Sequence, residues 1–271
     1  MEVIWRSIKS NLYKMNHSKL LWIHLLLPIL AAVVFNAYFA STKRTELQNV
    51  QLYLQVIAIL FPIMIAIVTT LVYESDVNAG GFQLVHMIAA KKSKGHGGNL
   101  LALLFLGSVS GVLAVVGFGA LYHGINRLFM GNSELLFPIG FYVKASGILF
   151  LVNVAGYCIQ YVLCYTFGKG VSLGLGIVGM LLGPLMYLGI GDMVWKWIPC
   201  SYGIRMISYY FITNASHGNG SEYFVNYIMD EFVTGSLFIA IITAVTGIVL
   251  YLFPKFPIYF PTHIIQYPLP P

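Results

Sequence analysis

Long apolar runs separated by short polar intervals dominate the chain. Six of them, Leu20 to Phe39, Val50 to Tyr73, Leu100 to Leu121, Phe141 to Phe167, Val171 to Ile190 and Gly235 to Phe253, are each about as long as a helix needs to cross a hydrocarbon core. That core is roughly 30 Å thick and takes ~20 residues at helical rise. Before the first run, Val3, Ile4, Ile8 and Leu12 recur at helical spacing, with Arg6, Lys9 and Lys14 between them. This pattern predicts a helix lying in the headgroup plane. The pattern as a whole predicts an all-α membrane protein, a single transmembrane domain over residues 1–271 with six transmembrane helices and an N-terminal interfacial helix over 1–19. Two connections hold most of the remaining residues: an inner one at 74–99 and an outer one at 191–234, rich in aromatics from Trp195 to Phe224. That aromatic density predicts short helices resting in the outer headgroup layer or dipping into it. The tail after Phe253 carries too many prolines for a seventh helix.

Composition agrees with this layout. The 271 residues are 58% hydrophobic and 9% charged, with a mean hydropathy of +0.80. A soluble domain is about 25% charged. The net charge of +6 belongs to membrane orientation rather than to nucleic acid, because no basic stretch interleaved with aromatics could track a phosphate backbone. With the N-terminus inside, nine Lys and Arg fall in cytoplasmic segments and six outside, which predicts cytoplasmic termini in a multi-pass protein of the bacterial cell membrane. The stretch before the first run is too long and polar for a cleavable leader, so the first helix is expected to remain as an anchor. Cys158, Cys164 and Cys200 form no CxxC pair and predict neither a disulfide framework nor a metal site.

Polar positions inside the runs narrow the chemistry. No ionisable group lies at the centre of a span, which counts against an ion- or proton-coupled carrier. His24 stands about a turn into the first span and is expected to hydrogen-bond to a neighbouring helix rather than to carry protons. Gly107 with Gly111, and Gly179 with Gly183, make GxxxG faces suited to close helix packing, within the chain or between subunits. Asn153, Tyr157, Gln160 and Cys164 share one face of the fourth span. That stripe fits either a substrate path or interhelical hydrogen bonding. The sequence Gly168-Lys169-Gly170 lacks the spacing of a phosphate-binding loop, and neither HExxH nor GxSxG occurs. No catalytic residue, metal ligand or bound cofactor is expected in this chain. The tripeptides at Asn214 and Asn219 match glycosylation acceptors and carry no weight in a bacterial host.

The inner connection is the most informative stretch. Glu74 and Asp76 open it, Val77, Gly81, Leu84, Val85 and Ile88 follow on one face, and Lys91 and Lys92 close it. Acid first and base last suit a helix dipole, so a short amphipathic helix is expected at the cytoplasmic surface. Gly80 and Gly81 leave room for another backbone. The pattern Glu74-x-x-x-x-Ala79-Gly80-x-Phe82-Gln83 directly after a second span resembles the permease subunits of lantibiotic self-immunity ABC transporters, the E and G subunits including the MutG-type group. The overall layout is similar to the wider ABC-2 type exporter fold.

The resemblance implies that a cytosolic ABC ATPase dimer, carrying ATP and Mg, sits beneath two such permeases forming a homodimer or heterodimer. The inner loop would be the cytoplasmic coupling helix seated in a groove of that ATPase. Carried onto this chain, the coupling helix takes in Glu74, Asp76, Ala79, Gly80, Phe82, Gln83 and Leu84, of which Glu74 would act at the junction with span two, Gly80 would permit close approach, Phe82 and Leu84 would fill apolar space, and Gln83 would hydrogen-bond at the interface. The implied substrate is a lantibiotic-like peptide expelled to the outside. Asn153, Tyr157, Gln160, Trp195 and Trp197 are the candidate contacts for it. An exporter of another amphiphile (a drug, lipid or cell-wall polymer) and a non-transporting membrane sensor or partner subunit are the alternative readings.

Overall fold

The computed structural model describes residues 19–42, 44–78, 92–129, 136–215 and 222–252. Every regular element among them is helical: α1 Lys19–Ala40, α2 Glu46–Asn78, α3 Lys92–Phe129, α4 Ile139–Phe167 and α5 Lys169–Tyr187. Three 3₁₀ turns follow, at Gly189–Gly191, Trp195–Trp197 and Pro199–Ser201, and then α6 Tyr202–Ala215 and α7 Glu222–Leu252. Six of these helices, all but α6, are long and apolar enough to cross a membrane. The predicted interfacial helix and the Pro-rich tail lie outside the described residues.

The helices outrun the apolar stretches that predict them. α2 has 33 residues and α3 has 38, or about 50 Å and more at 1.5 Å per residue, so both extend well beyond a hydrocarbon core. Polar residues continue a helix once they reach water or headgroups, and hydropathy alone cannot see that continuation. One consequence corrects the sequence reading. Glu74 and Asp76 lie in the last turns of α2 rather than at the start of a new helix. The C-terminal dipole disfavours acids there. Local donors offset that cost at both positions. Likewise the predicted outer connection is shorter at its far end, because α7 is already helical from Glu222.

Packing centres on α2 and α4. α1 lies along α3, α3 along α4, and α2 is flanked by α5, α4 and α6, while α7 rests on α4 and α6 at the periphery. α4 and α5 are joined by Gly168 alone, at φ +87°, a left-handed conformation that favours glycine. Aromatic side chains fill one end of the core: Tyr53 stacks on Phe118 with centroids 3.7 Å apart and donates its hydroxyl to the Ala114 carbonyl at 2.7 Å. The outward faces of α1 and α7, with Leu26, Leu30 and Val34 on one and Leu237, Ile241 and Val245 on the other, stay exposed as lipid-facing surfaces do. The GxxxG face of α5 packs within the chain, whereas that of α3 packs at Gly107 and leaves Gly111 on a cleft. Gly107 lies under the Tyr157 ring of α4, and Gly179 and Gly183 face Pro62 and Cys200.

The segment from Leu188 to Ala215 is a hairpin sunk into the bundle. α5 rises until Tyr187 meets Gln55, the chain then turns back so that Cys200 lies beside Gly179 and Gly183, and α6 climbs again from Ala58 to Phe137. Pro62 cannot donate a backbone hydrogen bond to Ala58, and the start of α6 covers that carbonyl: a Cβ added to Gly203 would lie 3.4 Å from the Ala58 oxygen. The hairpin therefore dips into the bundle instead of resting on it.

Candidate functional site

The end of the bundle that leads into residues 79–91 carries a buried polar node. Asp76, in the last turn of α2, is 3% exposed. Its Oδ2 accepts hydrogen bonds from Asn99 Nδ2 of α3 at 2.7 Å and from the Tyr165 hydroxyl of α4 at 2.6 Å. Tyr165 stacks on Tyr161 with centroids 4.3 Å apart, and the Tyr161 hydroxyl shares a 3.0 Å hydrogen bond with His96 Nδ1. His96 also meets the Tyr165 ring edge to face at 5.2 Å. One carboxyl thus ties together three helices, two of which flank the 79–91 segment.

Around this node lie two further links. Glu74 pairs with Lys169 at 2.9 Å across the surface, joining α2 to the start of α5. The pair is exposed and contributes little to stability. Deeper, Ser172 donates to Gln160 Oε1 at 2.9 Å, pinning α5 to α4. Of the seven predicted coupling residues, Glu74 and Asp76 are placed by the structure. Ala79, Gly80, Phe82, Gln83 and Leu84 lie outside the described residues.

The predicted polar stripe on α4 is packed inside the bundle. Asn153, Tyr157 and Gln160 are all buried, and Asn153 donates to the Leu149 carbonyl of its own helix at 2.8 Å. Two apolar clefts flank the stripe. One, of about 270 Å³, lies between α2, α4, α5 and the hairpin and is bordered by Asn153 and Gln160. The other, of about 340 Å³, lies between α1, α2 and α3 and is bordered by Tyr157 and His24, whose Nδ1 bonds the Leu20 carbonyl of its own helix at 2.9 Å instead of the neighbouring helix expected from the sequence. The stripe therefore both fastens helices and edges two cavities.

The two tryptophans separate. Trp195 is fully buried against Tyr202 and Tyr209, with its Nε1 donating to Glu231 at 3.3 Å. As it sits, it offers no face to a substrate. Trp197 is 68% exposed and packs edge to face on Phe238. The hairpin is held by charges. Arg205, 5% exposed, donates to Asp192 Oδ1 at 2.6 Å, to Tyr209 at 3.1 Å and to the Met186 carbonyl. Lys196 pairs with Glu231 of α7 at 2.9 Å.

Sequence reasoning missed the partners rather than the place. His96 with Asn99 and Tyr161 with Tyr165 stand at i,i+3 and i,i+4, so each pair shares a helix face at the membrane end where Asp76 lies. Among the described residues, no three His, Cys, Asp or Glu side chains gather as metal ligands.

Fold and site together define a multi-pass helical protein whose long apolar helices are suited to a membrane. No protein family, no curated protein and no solved structure matches the chain.

Proposed function

We propose that the chain is the transmembrane permease subunit of an ABC exporter that removes a lantibiotic-like peptide from the membrane, driven by ATP hydrolysis on a separate cytosolic ATPase. The Asp76 node carries this reading. A coupling segment is useful only if its displacement moves the spans, and residues 79–91 are flanked by two helices joined through a single buried carboxyl to a third. Force on the segment would pass from α2 and α3 through that carboxyl to α4. That helix carries the stripe bordering both clefts. Such coupling needs contacts that differ between the ATP-bound and released states of the partner. The Glu74-to-Gln83 pattern, the six-helix layout and the hairpin before the last helix support the same reading. Asn153, Tyr157, Gln160 and the exposed face of Trp197 are the proposed substrate contacts.

The test is co-purification of the chain with its cytosolic ATPase. Charged replacements of both Phe82 and Leu84 are expected to abolish association while the permease still inserts. Tyr165→Phe is expected to keep the ATPase bound yet lower peptide-stimulated ATP hydrolysis. Full association and full protection against lantibiotic-like peptides in the Phe82/Leu84 double variant would overturn the proposal.

A further inference from the structure

The cleft between α1, α2 and α3 holds about 340 Å³, within the ~300–1,000 Å³ of small-molecule pockets. Its walls are apolar, from Leu27 and Pro28 of α1, Leu60 and Met64 of α2, and Gly111 and Ala114 of α3. α1 packs along α3 and barely meets α2. Leu27 and Leu60, which border the cleft from those two helices, are exposed, so the cleft opens sideways toward lipid. Its floor has room as well, since Gly111 has nothing within 4 Å of its virtual Cβ.

One polar group on the wall is unmatched. Tyr157 is 3% exposed, and its hydroxyl makes no hydrogen bond among the described residues. The phenol oxygen lies where a side chain at Gly107 would project, and both residues border the cleft. A buried hydroxyl without a partner is costly, and native structures rarely leave one. Tyr157 stands ten residues before Phe167, the end of α4, or about 15 Å along the helix at 1.5 Å per residue. That depth is the middle of a core roughly 30 Å thick, well inside the polar headgroup layers. Bilayer lipids offer only hydrocarbon there. Besides the phenol, His24 is the one ionisable side chain among the described residues of the wall, and its Nδ1 already donates to the Leu20 carbonyl. In the neutral ring Nε2 is then an acceptor, so nothing here balances a charged guest.

We propose that this cleft binds an uncharged amphiphile whose apolar body fills it and whose oxygen accepts a hydrogen bond from Tyr157. A hydrocarbon fills the same space but leaves the hydroxyl unmatched. An ion meets no counter-charge in a medium that penalises it. A peptide enters such a cleft by an apolar stretch, through a backbone carbonyl, and not by a cationic side chain. The ligand class rests on the exporter reading only where the ligand is taken as cargo; occupancy of the cleft belongs to the isolated chain.

The test measures the melting temperature of the full chain, without its ATPase, in lipid nanodiscs. The neutral ketone para-butylacetophenone is expected to give a saturable rise. Tyr157→Phe removes the hydroxyl and keeps the ring over Gly107. It is expected to raise the half-saturating ketone concentration about five- to tenfold, the size of one neutral hydrogen bond. Partition into the bilayer is the same for both chains and cancels from that ratio. Butylbenzene, the same body without the oxygen, is expected not to distinguish the two chains, and para-butylbenzoate to give no saturable rise. Gly111→Leu fills the cleft from its open floor and is expected to abolish the response to the ketone in a chain that still elutes as folded. Equal half-saturation by the ketone in the parent and in Tyr157→Phe would overturn the proposal, whatever Gly111→Leu does. So would the absence of a saturable rise, or an equal response to para-butylbenzoate. ATPase association is scored separately in the Phe82/Leu84 variant, so failure of either reading leaves the other standing.

Discussion

Tyr157 lies across Gly107 so closely that a methyl group on the glycine would overlap the phenol oxygen and ring. Gly111, one turn further along α3, has nothing within 4 Å of its virtual Cβ. The two glycines of one GxxxG motif are therefore unequal. Gly107→Ala is expected to destabilise the folded protein by about 1–3 kcal/mol through overpacking, while Gly111→Ala is neutral or slightly stabilising. Unfolding by denaturing detergent measures both, and equal effects would show that Tyr157 does not lie on Gly107. The motif was legible in the sequence. Its asymmetry was not, because spacing fixes which residues share a face but not what stands opposite. The same holds for Asn153, Tyr157 and Gln160: one face was readable, while their partners (their own backbone, α3 and Ser172) come from three separate surfaces.

Among the elements, the hairpin from Leu188 to Ala215 departs furthest from what hydropathy can describe. Its aromatics marked an interface, yet the side chains that hold it are charged. Arg205 reaches back to the Met186 carbonyl and across to Asp192, and Lys196 crosses to Glu231, so each limb is pinned by a cation to an acceptor several residues or a whole helix away. A charge count assigns such residues to loops and cannot anticipate that they fold inward. Asp192→Lys places a like charge beside a 5% exposed guanidinium and is expected to lower the melting temperature in detergent by several degrees. The exchange Asp192→Arg with Arg205→Asp is expected to recover part of the loss. Absence of any loss in the single variant would mean that the pair does not hold the hairpin. The span ends were missed for a related reason. α2 runs to Asn78 because Asn99 and Tyr165 supply the donors that Asp76 needs, a contact between residues 23 and 89 positions away.

For the molecule as a whole, six helices of spanning length place the two ends of the described chain on the same side. The packing agrees, since Leu20 and Leu250 join one cluster with Val72 and Leu100. That side carries Lys19, Lys92, Lys94 and Lys169 at helix ends. On the opposite side, Lys196 and Arg205 are engaged by Glu231 and Asp192 within the hairpin. They are therefore not free in a connecting loop, where orientation is set by Lys and Arg near the span ends. Lys169 is engaged likewise by Glu74, so ion pairing leaves the expectation where the sequence count of nine against six puts it, with the 79–91 end inside. Thr45 and Thr166 are exposed at opposite ends of the bundle, and the native Cys158 and Cys164 are buried. In intact cells, with Cys200 replaced by Ser, a membrane-impermeant maleimide is expected to label Thr45→Cys directly and Thr166→Cys only after permeabilisation. The reverse pattern would put residues 79–91 outside, where no cytosolic ATPase could reach them, and would remove the coupling proposal.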